Sequence, residues 1–266
     1  MNITKFNIIG HGFVGQSTDL FLRECGVNKE NIRYVTRTQN LDFYTNQSLH
    51  EKDWEGEITF ICLPTPTLQD GTQDLGAINA VMEKIKGGLV VMRSTVLPGT
   101  CKRLAKEYKL HVVMMPEFLT EATMYEDAID PDIVVIGTEN KEDEFTMYEI
   151  FRGFRDKFIF LNTMEAETSK YAVNCLYSLK VIYVNQLYDF CQSQNINYDK
   201  VKKVLYNRKW IGKNHLEAVF RGVRGLTGKC LPKDLYAFAT FSESKLLKAA
   251  YILNIPLVTN GDGKPV

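Results

Sequence analysis

Residues 6–17 read FNIIGHGFVGQS. A short apolar run meets Gly10-His11-Gly12-Phe13-Val14-Gly15, a GxGxxG motif that closes a strand and opens a helix. That context gives the motif its meaning. The first glycine permits a tight turn, the second lets backbone approach a pyrophosphate, and the third lets the helix pack close on the sheet. The helix start behind it offers unpaired N–H groups to phosphates. The expectation is a dinucleotide cradle made of Gly10, Gly12, Phe13, Val14 and Gly15. For the motif alone, a glycine-rich turn without ligand is the alternative.

Working outward, short β-branched runs alternate with helical patterns over the first 160 or so residues. The strand candidates are 5–10, 32–36, 57–63, 89–93, 111–115, 132–137 and 157–161; the helix candidates are 13–26, 74–86, 99–108 and 141–154. Near-continuous apolar strands alternating with helices predict an α/β fold with a doubly wound parallel sheet. The pattern changes near Thr163. Tyr171, Cys175, Leu179, Ile182, Leu187 and Cys191 recur at helical spacing in a stretch without Gly or Pro. This predicts one long helix over 163–195, of roughly nine turns. Shorter helices are expected at 199–207, 232–241 and 244–253, with a Gly- and Arg-rich loop over 208–229. The division is therefore a Rossmann-like domain at 1–162 and an all-helical domain at 163–266.

Composition narrows the class. Lys plus Arg and Asp plus Glu each number 32 in 266 residues, so the net charge is zero and no electrostatic footprint for nucleic acid exists. No apolar run reaches membrane-spanning length. The start lacks the basic region and cleavage site of a signal peptide. The six cysteines show no CxxC pairing, which fits reduced thiols in a cytoplasm. The four histidines show no metal-ligand spacing, so no metal is expected.

At the end of the second strand, where an acid commonly binds the ribose 2′-hydroxyl of NAD, the chain has Thr36-Arg37-Thr38. Arg37 either accommodates a 2′-phosphate, which would select NADP, or lies over the adenine with NAD bound.

Further along come CLPTP (62–66), DGTQDL (70–75) with Asp74 as helix cap, RSTVLPGT (93–100), MPEFLTEA (115–122), DPDIVVIG (130–137), AETSKYAVNCL (166–176) and GKCLPKD (228–234). In this order and spacing the chain resembles the nucleotide-sugar dehydrogenases, most closely the UDP-glucose 6-dehydrogenase family, over about residues 3–245. The resemblance implies oxidation of a sugar alcohol to a carboxylate by two hydride transfers, through a thiohemiacetal and a thioester on Cys230. Lys170 and Asn174 lie four apart on one helix and so share a face, where they can meet one substrate oxygen. Lys233 and the helix start at Pro232 favour a Cys230 thiolate. The resemblance further implies that Asp234 activates water or holds Lys170, that Thr95 and Glu121 position that water, and that Glu117 supports them. Thr65, Thr95, Glu121 and Lys233 join the glycine loop on the cofactor side. A homodimer through the long helix and a nucleotide-sugar substrate are the expected partners.

The chain departs from the family pattern at three places. The loop before the cysteine reads VFRGVRGLTGKC, with Arg221 and Arg224 where Gly, Phe and Pro are usual. Ile133 stands where an arginine follows Pro-Asp. The chain stops at Val266, where the resemblance implies a further UDP-binding domain, so a short form is expected. Two other functions remain open. One is a β-hydroxyacid-type dehydrogenase with a single hydride transfer, against which CLPKD and PEFLxE argue. The other is a non-catalytic subunit of a full-length dehydrogenase, against which the intact Lys170, Asn174 and Cys230 argue.

Overall fold

The computed structural model describes residues 5–36, 58–120 and 123–258. Arg37, Glu121 and the tail beyond Val258 lie outside them. Two compact units divide the chain: residues 1–66 with 73–170, and residues 67–72 with 171–266.

The first unit is built on a sheet of seven described strands: β1 (Phe6–Ile9), β2 (Ile32–Val35), β3 (Ile58–Ile61), β4 (Leu89–Met92), β5 (His111–Met114), β6 (Val134–Gly137) and β7 (Phe158–Leu161). Their order is β2-β1-β3-β4-β5-β6-β7. The chain winds from β1 to β2 on one side and resumes with β3 on the other, so the strand order reverses beside β1. Such a reversal opens a ligand crevice at the carboxyl ends of the strands, which is where Gly10 follows β1.

One pairing departs from the all-parallel expectation. β5 and β6 meet through a single antiparallel bridge, Met114 to Gly137, while β6 and β7 are parallel. Among the described residues, the link between them carries one six-residue helix, α4 (Met124–Ile129). It packs against α1 (Phe13–Glu24) rather than forming the long helical crossover that returns a chain parallel.

Strand side chains alternate between two cores, as a sheet covered on both faces requires. Ile8, Phe60, Val91, Val113 and Ile136 join one with Phe21, Phe151 and Phe154. Ile9, Ile61, Met92, Met114 and Val135 join the other with Ile78, Met82 and Leu104.

The glycine loop is fixed by contact. Gly10 has φ +90°, and a Cβ there would lie 2.5 Å from the Cys62 carbonyl oxygen. A Cβ on Gly15 would lie 2.0 Å from the Gly10 carbonyl oxygen. Helix α1 thus seats on the sheet only if both stay bare.

The second unit is mainly helical. It holds most of α6 (Thr163–Ser193), followed by α7 (Tyr198–Asn207), α8 (Leu231–Phe241) and α9 (Lys245–Val258). The segment expected as plain loop contains a small hairpin, β8 (Val219–Phe220) with β9 (Val223–Arg224). Arg221 and Gly222 both take positive φ at its tip. Arg224 is tied to α6 through Asn185 and Asp189, the latter at 2.8 Å. Buried Asn254 accepts the Leu226 N–H at 2.6 Å. A sequence without regular periodicity is thereby given a fixed path toward α8.

Gly10→Ala and Gly15→Ala should each cost on the order of 2 kcal/mol or more. Gly12→Ala, whose Cβ would meet no atom within 4 Å, should change stability by no more than about 0.5 kcal/mol. Urea midpoints at constant slope check this ranking.

Candidate active site

The first unit presents a bare helix start. Gly12 caps α1 without a side-chain hydrogen bond, and no acidic residue sits in the first turn. Open space above Gly12 and a first turn without an acidic residue fit a pyrophosphate against the helix N-terminus. Thr36 follows β2 and is partly buried. Thr65 is buried, and its hydroxyl donates to the Thr95 carbonyl at 2.6 Å. Gln73 donates to the same carbonyl at 2.8 Å and accepts from the Leu97 N–H. These bonds fix the backbone of the RSTVLPGT turn, so the Thr65 side chain acts here as a brace.

Lys170 lies on α6 and is only 5% exposed. Its ammonium pairs with Glu117 at 3.1 Å and lies 5.5 Å from the centre of the Phe118 ring. Glu117 is itself buried and also accepts the Leu119 N–H at 2.9 Å. A buried ammonium needs such an anion, because removing one member of a buried pair costs about 3–5 kcal/mol. One turn earlier, fully buried Glu167 accepts from the N–H groups of Gly99 and Cys101. It therefore caps α3 (Thr100–Tyr108) and fixes the start of α6 to the unit. Burial pushes its carboxyl above the usual range, opposed by those N–H bonds. Sequence reading gave no role to Glu167 or to Arg93, although both fall inside motifs it singled out.

In the second unit, Asp234 is buried to 1% exposure. It accepts from the Asn174 side-chain amide at 2.6 Å and from the Lys233 ammonium at 2.5 Å. Thr67 donates to the Lys233 carbonyl at 2.9 Å. Asp234 therefore holds Asn174, and Lys170 has its own carboxylate in Glu117. Lys233 is committed to Asp234, so the cation expected to act on Cys230 already has an anion of its own.

Cys230 caps α8 and is the exposed one among the free cysteines. Cys25, Cys62, Cys101 and Cys175 are poor nucleophiles. Burial pushes the thiols of Cys25 and Cys175 up to about 12, with Glu24 and Asp234 adding to it. Burial takes Cys62 to about 11 against the opposing charge of Arg93. Cys101 is raised further, by burial and then by Glu167. Among the described residues, no group of His, Cys, Asp and Glu is placed to hold a metal ion. No described helix is long and apolar enough to cross a membrane.

Comparison with known proteins places the chain. Residues 22–155 match the NAD binding domain of the UDP-glucose/GDP-mannose dehydrogenase family, and residues 164–259 match its central domain. The chain belongs to this family. The NAD-binding match falls mostly within the first unit, and the central-domain match begins at its end and runs through the second. The chain is 30% identical to a UDP-glucose 6-dehydrogenase of Rickettsia felis, in an alignment that covers 94% of this chain and 63% of that protein. It spans less than two thirds of that relative's length. A UDP-glucose dehydrogenase from the hyperthermophilic archaeon Pyrobaculum islandicum has the same fold, with TM-score 0.79 at 23% identity over 95% of this chain and 68% of that one. A 3-hydroxyisobutyrate dehydrogenase of Mycobacterium tuberculosis shares the fold at TM-score 0.69 and 11% identity, over 94% of this chain and 92% of that one.

At about pH 8, limited iodoacetamide should label Cys230 at least ten times faster than Cys25, Cys62 or Cys175, because Cys230 is exposed and burial raises the other three thiols. Peptide mapping by mass spectrometry reads the order of labelling.

Proposed function

We propose that the chain oxidises the primary alcohol of a nucleotide sugar, UDP-glucose first, to the carboxylate in two successive steps. The observation that carries this is the pair Lys170 and Asn174, one turn apart on α6, each buried and each held by its own carboxylate. Fixed donors of this kind stabilise an alkoxide or oxyanion without reorganising. A UDP-sugar substrate is supported by the UDP-glucose 6-dehydrogenases to which the chain is similar.

NAD would be held by the glycine loop and the start of α1, and would supply the hydride acceptor for each oxidation. The NADP alternative rests on Arg37, outside the described residues. In the first step Lys170, acting as the neutral amine, accepts the hydroxyl proton and becomes the ammonium that pairs with Glu117, and Asn174 donates to the same oxygen. The product is an aldehyde. The Cys230 sulfur then adds to its carbon, and the carbonyl oxygen becomes an oxyanion at the same two donors. Loss of hydride from that adduct leaves a thioester. Water, positioned by Thr95 and Glu121 and activated by Asp234, adds to the thioester and expels the Cys230 thiolate. In this scheme Glu117 orients Lys170, and Lys233 orients Asp234.

The first and second domains in this reading run over 1–162 and 163–266, with the catalytic Lys, Asn and Cys on the second. Leu176, Tyr183 and Phe190 recur every seven residues on α6, and each is more than half exposed. An apolar stripe on one helix face is a surface for association, so a homodimer through α6 is part of the proposal.

Purified protein with UDP-glucose and NAD should yield two reduced cofactors per acid formed. Cys230→Ala should abolish acid formation with cofactor affinity near wild type, and Lys170→Ala should slow both steps by about a hundredfold or more. One reduced cofactor per turnover would favour the single-step dehydrogenase, and cofactor binding without turnover the non-catalytic subunit. Sedimentation should give twice the 30.4 kDa chain mass, and Tyr183→Lys should shift it toward the monomer.

A further inference from the structure

His11 stands between Gly10 and Gly12 in the glycine loop, and the scheme above gives it no part. Two contacts fix where its ring lies. The Gly10 N–H donates to the Val35 carbonyl at 2.8 Å, which ties the start of the loop to the last residue of β2. The His11 ring then meets the Tyr34 ring edge to face, with centroids 4.6 Å apart and planes at 88°. Tyr34 is partly buried and pairs with Ile8 across β2 and β1, so it gives the imidazole a fixed wall. His11 is therefore held at the carboxyl end of β2, where a dinucleotide fold of this kind meets the adenosine ribose.

That end of β2 lacks its usual acceptor. An acid there ordinarily takes the hydrogen bond of the ribose 2′-hydroxyl, and Thr36 opens the Thr-Arg-Thr run that stands there instead. Leaving a bound hydroxyl without a partner costs affinity. His11 has an acceptor to offer. Its ring is half-buried, and among the described residues neither ring nitrogen makes a hydrogen bond. Burial lowers its proton affinity, opposed by Asp19 on α1, which is itself tied to Arg23 at 2.7 Å. Above the ordinary histidine range the ring is neutral, and a neutral imidazole carries one acceptor nitrogen.

We propose that His11 recognises the adenosine ribose of NAD, accepting its 2′-hydroxyl in place of the missing acid. The inference rests on the reading that the glycine loop and the start of α1 hold NAD. The plain alternative is a histidine that only packs on Tyr34. His11→Phe separates the two, because it keeps an aromatic ring against Tyr34 and removes the acceptor.

The test is calorimetric titration of the full chain at about pH 8 with NAD and with its analogue lacking the adenosine 2′-hydroxyl. Wild type should bind the analogue about three- to tenfold more weakly than NAD, the worth of one neutral hydrogen bond. His11→Phe should bind NAD more weakly by a similar factor and bind the two ligands equally well. His11→Gln keeps an acceptor and should keep the preference for NAD. Equal affinity of wild type for both ligands would overturn the proposal while leaving NAD binding intact. So would a preference for NAD that survives in His11→Phe, as an acceptor at Thr36 would give. If His11→Phe does not fold, His11→Leu takes its place with the same expected outcome. Failure of folded wild type to bind either ligand would overturn the proposal together with the reading on which it rests.

Discussion

A buried ammonium has to be held by an anion, and the ion pair of Lys170 with Glu117 meets that requirement at 3.1 Å. Much of the first unit serves to bring the two together. Glu117 arrives on the turn that leaves β5, whose strands are locked from both faces by apolar side chains. Lys170 arrives on α6, whose start is fixed by Glu167 capping α3. Neither partner is held by its own segment alone. Burying the pair is costly in itself, and the chain retains it where the functional reading places the proton transfer.

The second unit repeats the device with a neutral donor. Asp234 takes up the Asn174 amide and the Lys233 ammonium, and the α8 backbone holds it in place through its N–H to the Cys230 carbonyl. Asn174 is therefore turned by a carboxylate, as Lys170 is. Cys230, four residues before Asp234 and at the exposed start of the same helix, is left accessible. Cys62, Cys101, Cys175 and Cys191 are buried, and Cys25 is half-buried. Accessibility distinguishes Cys230 from the other cysteines in this structure.

How much of this the sequence showed follows from the range of each interaction. The glycine loop, the strands and α6 were legible because turn chemistry and periodicity are local; α6 ends at Ser193, against an expected 195. Asp74, expected as the helix cap, lies one residue before the actual N-cap Leu75 and accepts the Gly76 N–H in a turn, and the helix α2 (Gly76–Met82) is shorter than its pattern suggested. The antiparallel approach of β6 was not legible, because apolar strands read alike in either direction. The hairpin at 219–224 was hidden by its two-residue strands. The partners of Lys170 and Asp234 were only half legible. Glu117 lies far from Lys170 in sequence, and a buried ion pair leaves no periodic trace. Arg93 and Glu167 were visible as letters of motifs, but their roles depend on what surrounds them once the chain is folded.

The central claim is that the substrate carbon passes through Cys230. The most direct measurement is acid quenching during turnover with UDP-glucose and NAD, followed by peptide mapping for covalently bound sugar nucleotide. The account predicts an adduct on the peptide carrying Cys230, at a mass matching the thioester, that disappears once substrate is exhausted. Steady formation of the acid with no adduct on that peptide, or with the adduct on another residue, would contradict it.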